Sequence, residues 1–128
     1  MELVRKPEYL SADRETIHAQ HRFTGQVTVH RIVGDHPRLR VSSVSFEAGA
    51  RTFWHAHGGE QILYVVDGRG RVQEWGQPAL DIGPRDIVHI GAGEKHWHGA
   101  TADVPLTHIA ITMAGEAGRL EIDWMEEV

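Results

Sequence analysis

Turn signals interrupt this chain every few residues, and no long window between them carries helical periodicity. Gly34-Asp35-His36-Pro37, Glu47-Ala48-Gly49, Gly58-Gly59, Asp67-Gly68 and Ile82-Gly83-Pro84 separate short runs rich in β-branched and aromatic residues. The 14 glycines and 5 prolines supply this punctuation. The runs predict strands over 26–33, 38–46, 51–57, 61–66, 70–75, 86–90 and 106–113. Many short strands with frequent turns indicate an all-β sandwich or barrel. Asp67-Gly68 reads as a tight hairpin between two of them. Segment 9–22 fits either a short helix or an extended arm, and 122–128 a closing turn packed by Trp124 and Met125. With 128 residues and no repeat, linker or low-complexity tract, a single domain is expected.

Composition removes several function classes. The cysteine count is zero, which excludes disulfides, thiolate metal sites and cysteine nucleophiles. A net charge of -5 with both signs scattered argues against a nucleic-acid partner, which usually meets a basic stripe. Residues 1–7 carry Glu2, Arg5 and Lys6 without an apolar run, so no signal peptide is expected. No stretch approaches the ~20 apolar residues of a membrane helix, so no membrane partner is expected and the cytoplasm is the expected compartment.

Histidine is the over-represented residue. There are ten, and six of them (His55, His57, His89, His96, His98 and His108) lie in the middle and late strand-like segments. Side chains two apart on a strand share a face, so His55 and His57 present two imidazoles together, roughly two rises of ~3.3 Å apart. Gly58-Gly59 then permits a sharp turn, and Gln61 opens the next strand aimed back at the same point, with Leu63 and Val65 behind it on the interior face. Glu60 is the alternative ligand to Gln61, although it sits one residue early and alternation turns it away. A fourth ligand has to come from far along the chain, and His96 within Gly93-Glu94-Lys95-His96-Trp97-His98 offers one. Nitrogen and oxygen donors without sulfur admit manganese, iron, nickel, cobalt or zinc.

These residues resemble the two sequence motifs of the cupins. Gly49, five residues, His55-x-His57, three residues, Gln61, six residues and Gly68 reproduce the first motif, with glutamine where most cupins have glutamate. Segment 83–100 resembles the second, with Gly91 in place of its proline and without its final asparagine. The small cupins that include the bacterial manganese-dependent hydroxynitrile lyases are the most similar. They share His-x-His, the glutamine, 93–100 (GEKHWHGA), Thr107-His108-Ile109-Ala110-Ile111 and the Asp123-Trp124-Met125-Glu126 tail. The resemblance implies an all-β fold, a single cupin (double-stranded β-helix, jelly-roll) barrel over 1–128, with a core about 24–113, an arm 1–23 and a tail 114–128. It also implies one divalent ion per chain, manganese or iron first, held by His55, His57, Gln61 and His96.

Four neutral ligands leave the ion its full charge, which favours Lewis-acid chemistry and makes a trivalent oxidised metal less comfortable. The reading that follows is a metal-dependent lyase or acid–base enzyme on a small oxygenated substrate, with cyanohydrin cleavage as its specific case. A metal-dependent dioxygenase and a non-enzymatic small-molecule-binding barrel are the alternatives. His108 is the first choice for the proton carrier and His98 the second. His89 reads as packed near the site, and His18, His21, His30 and His36 as surface residues. Ser42, Val44 and Phe46 alternate on one face and would wall the pocket. Arg40 and Arg51 could meet an anion, though solvated arginines are the commoner case. Apolar residues Ile62, Tyr64 and Val66 alternate on the outer face and imply a homodimer or higher homo-oligomer.

Overall fold

The computed structural model describes residues 1–5, 14–17, 22–33 and 35–128, and among them there is no helix. Among the described residues thirteen strands form two sheets. The first sheet orders β1 (Arg14–Ile17), β3 (Val27–Val33), β4 (Leu39–Phe46), β12 (Leu106–Met113), β7 (Gln61–Gly68) and β10 (Ile87–Ile90). The second orders β13 (Ile122–Trp124), β6 (His55–His57), β11 (His96–Ala100), β5 (Arg51–Thr52) and β2 (Phe23–Thr24). At its side β8 (Gly70–Glu74) pairs with β11 and with β9 (Leu80–Ile82).

Alternation in the central strands builds the core. On β7, Leu63 and Val65 are fully buried while Tyr64 and Val66 are exposed, so the period-2 reading of this strand holds. Phe46 and Val44 of β4 and Leu106 and Ala110 of β12 point the same way, and Phe23, Val72 and Ile82 close on them from the second sheet. Burial of this apolar set is the main favourable term holding the two sheets together. His108 lies among them, fully buried, opposite Val44 and Val65.

Several expectations change at the edges. Asp67-Gly68 makes no hairpin: β7 and β8 lie in different sheets, and the chain crosses between them here. Gly68 has a φ of 90°, and a Cβ there would stand 1.9 Å from the Pro105 carbonyl oxygen, so turn chemistry serves a corner instead. The run 51–57 breaks at Phe53–Trp54, whose amides bond to Arg22 and Glu126. Of segment 9–22, Arg14–Ile17 is a strand rather than a helix, Arg22 is a bend, and the rest lies outside the described residues. The tail is no mere turn, since β13 adds a strand to β6. Strand β11 was not foreseen, because His96–Ala100 is buried at every position and so shows no alternation.

Candidate metal centre and its cavity

Three strands bring the histidines together. β6 presents His55 and His57 on one face, with ring centroids 5.1 Å apart. β11 pairs His96 with His55 across the ladder, which sets their rings 4.2 Å apart. His98, two residues on, shares that face, with its ring 5.3 Å from His55 and 5.7 Å from His96. The ligand atoms of His55, His96 and His98 all lie within 4.8 Å of one another, a group that could hold a metal ion.

The rings are oriented from behind. Nδ1–H of His55 donates to the Phe53 carbonyl at 2.9 Å, and Nδ1–H of His96 to the Glu94 carbonyl at 2.8 Å. That fixes the tautomer and leaves each Nε2 a lone pair for the cavity. Gln61 Nε2 donates to Thr112 Oγ1 at 2.9 Å, which frees its carbonyl oxygen to act as a donor to an ion. Nε2 of His57, His96 and His98 and Oε1 of Gln61 are buried with no hydrogen-bond partner among the described residues. Buried orphan acceptors are costly and rare, and one cation held by His57, Gln61 and His96 would satisfy three of these four. The donor set therefore fits a divalent metal.

Burial keeps the imidazoles neutral. Desolvation, then the neighbouring His96 ring, lowers His57 to about 4. Desolvation also lowers His108 to about 4, pushes His55 and His98 well below the usual imidazole value, and lowers His96. Neutral imidazole is the form that binds metals. A consequence concerns the metal-free protein. Below pH 6.5 the unfolded chain takes up protons that the folded cluster refuses until about pH 4. Stability is therefore full above the unfolded value and lost as the pH falls through that window. His57 and His108 each contribute on the order of 3 kcal/mol to the loss at full titration. Thermal melts of chelator-treated protein should show Tm falling from pH 7 to pH 4.5. An unchanged Tm would mean the histidines are solvated.

The cavity beside this cluster measures about 170 Å³ and is lined by His55, His57, Gln61, His98 and His108 together with Val44, Phe46 and Ser42 of the expected wall. His108 Nε2 lies 3.1 Å from His98 Nδ1, so the two form one hydrogen-bonded unit packed against the Phe46 ring. All six singled-out residues thus meet in one place: His55, His57, Gln61, His96, His98 and His108. Thr112 was not singled out, and Trp124 was expected only to pack a closing turn. Thr112 follows His108 and Ala110 by simple alternation, so the signal was present. Trp124, whose ring lies 4.7 Å from His55, comes from a strand whose three residues are too few to show a period.

Other histidines correct the reading. His89 is exposed and stands 3.6 Å from Glu60, which itself points away from the cluster. His30 is buried rather than on the surface, where β3 lies between β1 and β4. His36 is exposed and accepts a bond from the Arg38 amide, while His18 and His21 lie outside the described residues.

The family model of the cupin domain matches residues 42–112. An (R)-mandelonitrile lyase from Granulicella tundricola is 42% identical over 110 residues, covering 83% of this chain and 81% of that protein. Among solved structures, a cupin-like protein from Thermotoga maritima is 38% identical with a TM-score of 0.82, over 92% of this chain and 90% of the other. A predicted oxalate decarboxylase from Thermotoga maritima reaches a TM-score of 0.76 at 22% identity, over 88% and 99% of the two chains, and bears on the fold alone.

Proposed function

The chain belongs to the cupin family, and from that premise we propose a metal-dependent lyase acting on a small oxygenated substrate, with cyanohydrin cleavage as its specific reaction. The observation that carries this reading is the His98–His108 pair, a buried hydrogen-bonded unit beside the ligand cluster whose His98 Nε2 has no hydrogen-bond partner among the described residues. The 42% identical mandelonitrile lyase names the substrate to try first.

In this proposal His55, His57, Gln61 and His96 hold one divalent ion, manganese or iron first. When bound, the ion supplies a Lewis acid for a substrate oxygen. The protein's own groups do the rest. His98, backed by His108, accepts the hydroxyl proton as the carbon–carbon bond to cyanide breaks and the carbonyl forms. The same pair returns the proton to the leaving cyanide, so that aldehyde and hydrogen cyanide are the products. Phe46, Val44 and Trp124 keep water from the reacting carbon. A ligand group without a carboxylate disfavours the dioxygenase reading, because it gives a trivalent metal no charge compensation. The test is manganese-loaded protein with mandelonitrile, followed by benzaldehyde release and by an oxygen electrode. Benzaldehyde without oxygen uptake is expected, and no cleavage with full metal occupancy would overturn the reaction.

Assembly and compartment belong to the same proposal. Tyr64 and Val66 are 38% and 48% exposed on the outer face of β7, and Ile87, paired with Tyr64, is 67% exposed. This apolar edge supports a homodimer. Light scattering should give about twice the 14.3 kDa chain mass at micromolar concentration, and a monomer would rule the stable dimer out. Among the described residues no helix is long and apolar enough to cross a membrane.

A further inference from the structure

Arg40 and Arg51 have separate fates. Arg51 lies on the far side of the second sheet, 5.9 Å from the Trp97 ring centroid, and donates to the Val128 carbonyl at 3.2 Å. Arg40 lines the cavity. It stands on the inner face of β4 in line with Ser42, Val44 and Phe46, and its register places it beside Thr112, which in turn lies beside Gln61. Arg40, Thr112 and Gln61 thus form one row across three strands, with the guanidinium at one end and the ligand amide at the other.

The guanidinium has no anionic partner among the described residues. Its Nε is buried without a hydrogen bond. The described ion pairs all involve other residues, and the acidic residue lining the cavity, Glu121, is held by Arg119 at 2.7 Å. The charge nearest in effect is Arg31 on β3, which adds to burial in lowering the Arg40 pKa. Arg40 in turn acts on His57. A guanidinium stays charged in proteins, so it cannot relieve this arrangement by losing its proton. A partly buried cation beside a like charge is unfavourable in the free protein and becomes favourable when an anion arrives.

We propose that Arg40 binds a carboxylate, and that the physiological substrate is a small monocarboxylate whose other end reaches the histidine cluster. The inference rests on the metal-and-cavity reading above and makes mandelonitrile a neutral stand-in for that substrate. The size is set by the cavity: about 170 Å³ compares with the about 150 Å³ of an apolar protein cavity that holds benzene. At the Arg40 end a carboxylate is favoured over a phosphate, because Arg40 is the sole side-chain cation among the described residues lining this space and Glu121, which also lines it, would repel a second negative charge. The charge of a bound ion would act at the histidine end.

The experiment uses benzoate and its neutral counterpart benzamide, titrated calorimetrically into metal-free protein so that no carboxylate–metal bond contributes. Wild type should bind benzoate at least roughly tenfold tighter than benzamide. Arg40→Met should remove that preference and leave benzamide binding unchanged, while Arg40→Lys should keep part of it. Equal binding of the two probes by wild type would overturn the proposal, as would an Arg40→Met protein that still prefers benzoate. The wild-type comparison and Arg40→Lys decide the matter even if Arg40→Met fails to fold. Benzoate should also compete with mandelonitrile in the metal-loaded wild type, and benzoate binding without competition would place the anion elsewhere. Absence of mandelonitrile cleavage defeats the lyase reading alone, because the calorimetric preference does not depend on turnover.

Discussion

His55→Ala and His96→Ala should each lower metal affinity by at least roughly a hundredfold while leaving the barrel folded. The expectation follows from two proposed ligand sets that share these residues. Sequence spacing gives His55, His57, Gln61 and His96, whereas the histidines whose ligand atoms all lie within 4.8 Å of one another are His55, His96 and His98. Whichever set holds the ion, His55 and His96 belong to it. Both have the Nδ1–H tied to a backbone carbonyl, so their Nε2 atoms are committed to the cavity before any metal arrives. Changing residues that only orient a ligand costs about 10–100-fold in affinity, and removing a ligand should cost more. Metal analysis after dialysis, with circular dichroism beside it, checks the result. Full occupancy in either variant would remove the proposed site.

The same measurement divides the two sets. Loss of metal in His57→Ala and Gln61→Ala with retention in His98→Ala supports the sequence-derived ligands and frees His98 for proton transfer. The opposite pattern makes His98 a ligand. Thr112→Val belongs in this series, because it leaves the Gln61 amide without the acceptor that sets its orientation.

Much of this was legible in the sequence for a physical reason. Strands with one face in the core announce themselves by alternation, and 106–113 was read with the bounds the structure gives. His-x-His was informative because period 2 converts a spacing into a shared face. What stayed hidden was whatever depends on pairing. Nothing in Asp67-Gly68 distinguishes a hairpin from a corner between sheets, since both need a positive φ. β11 is buried at every position, and β13 is three residues long, so neither shows a period to read. The standing of Arg40 was equally invisible. Only the register of β4 on β12 separates it from Arg51, whose guanidinium rests on Trp97 instead.

His98→Ala and His108→Ala should each reduce cyanohydrin cleavage by about 10²–10⁴-fold, the usual contribution of a positioned acid–base group. Sequence reasoning ranked His108 ahead of His98, and the geometry supports treating them as one unit. His98 Nδ1 and His108 Nε2 share a hydrogen bond of 3.1 Å, and His98 Nε2 is the free atom nearer the ligand rings. If the two act as a unit, their effects will not add, and the double variant should be no slower than the worse single one. Metal content separates this from a structural role: His108→Ala should retain its ion, because His108 lies behind His98. The pH profile adds a second check. Burial holds His108 at about 4, so the pair stays neutral and able to accept a proton well below pH 6.5. Activity of the metal-loaded enzyme should therefore persist to about pH 5 and fall only as the pH approaches 4. An acid limb centred near 6.5 would point to a solvated base elsewhere. If wild type is active and His108→Ala keeps most of that activity, His108 is a packing residue, and the proton passes through His98 alone.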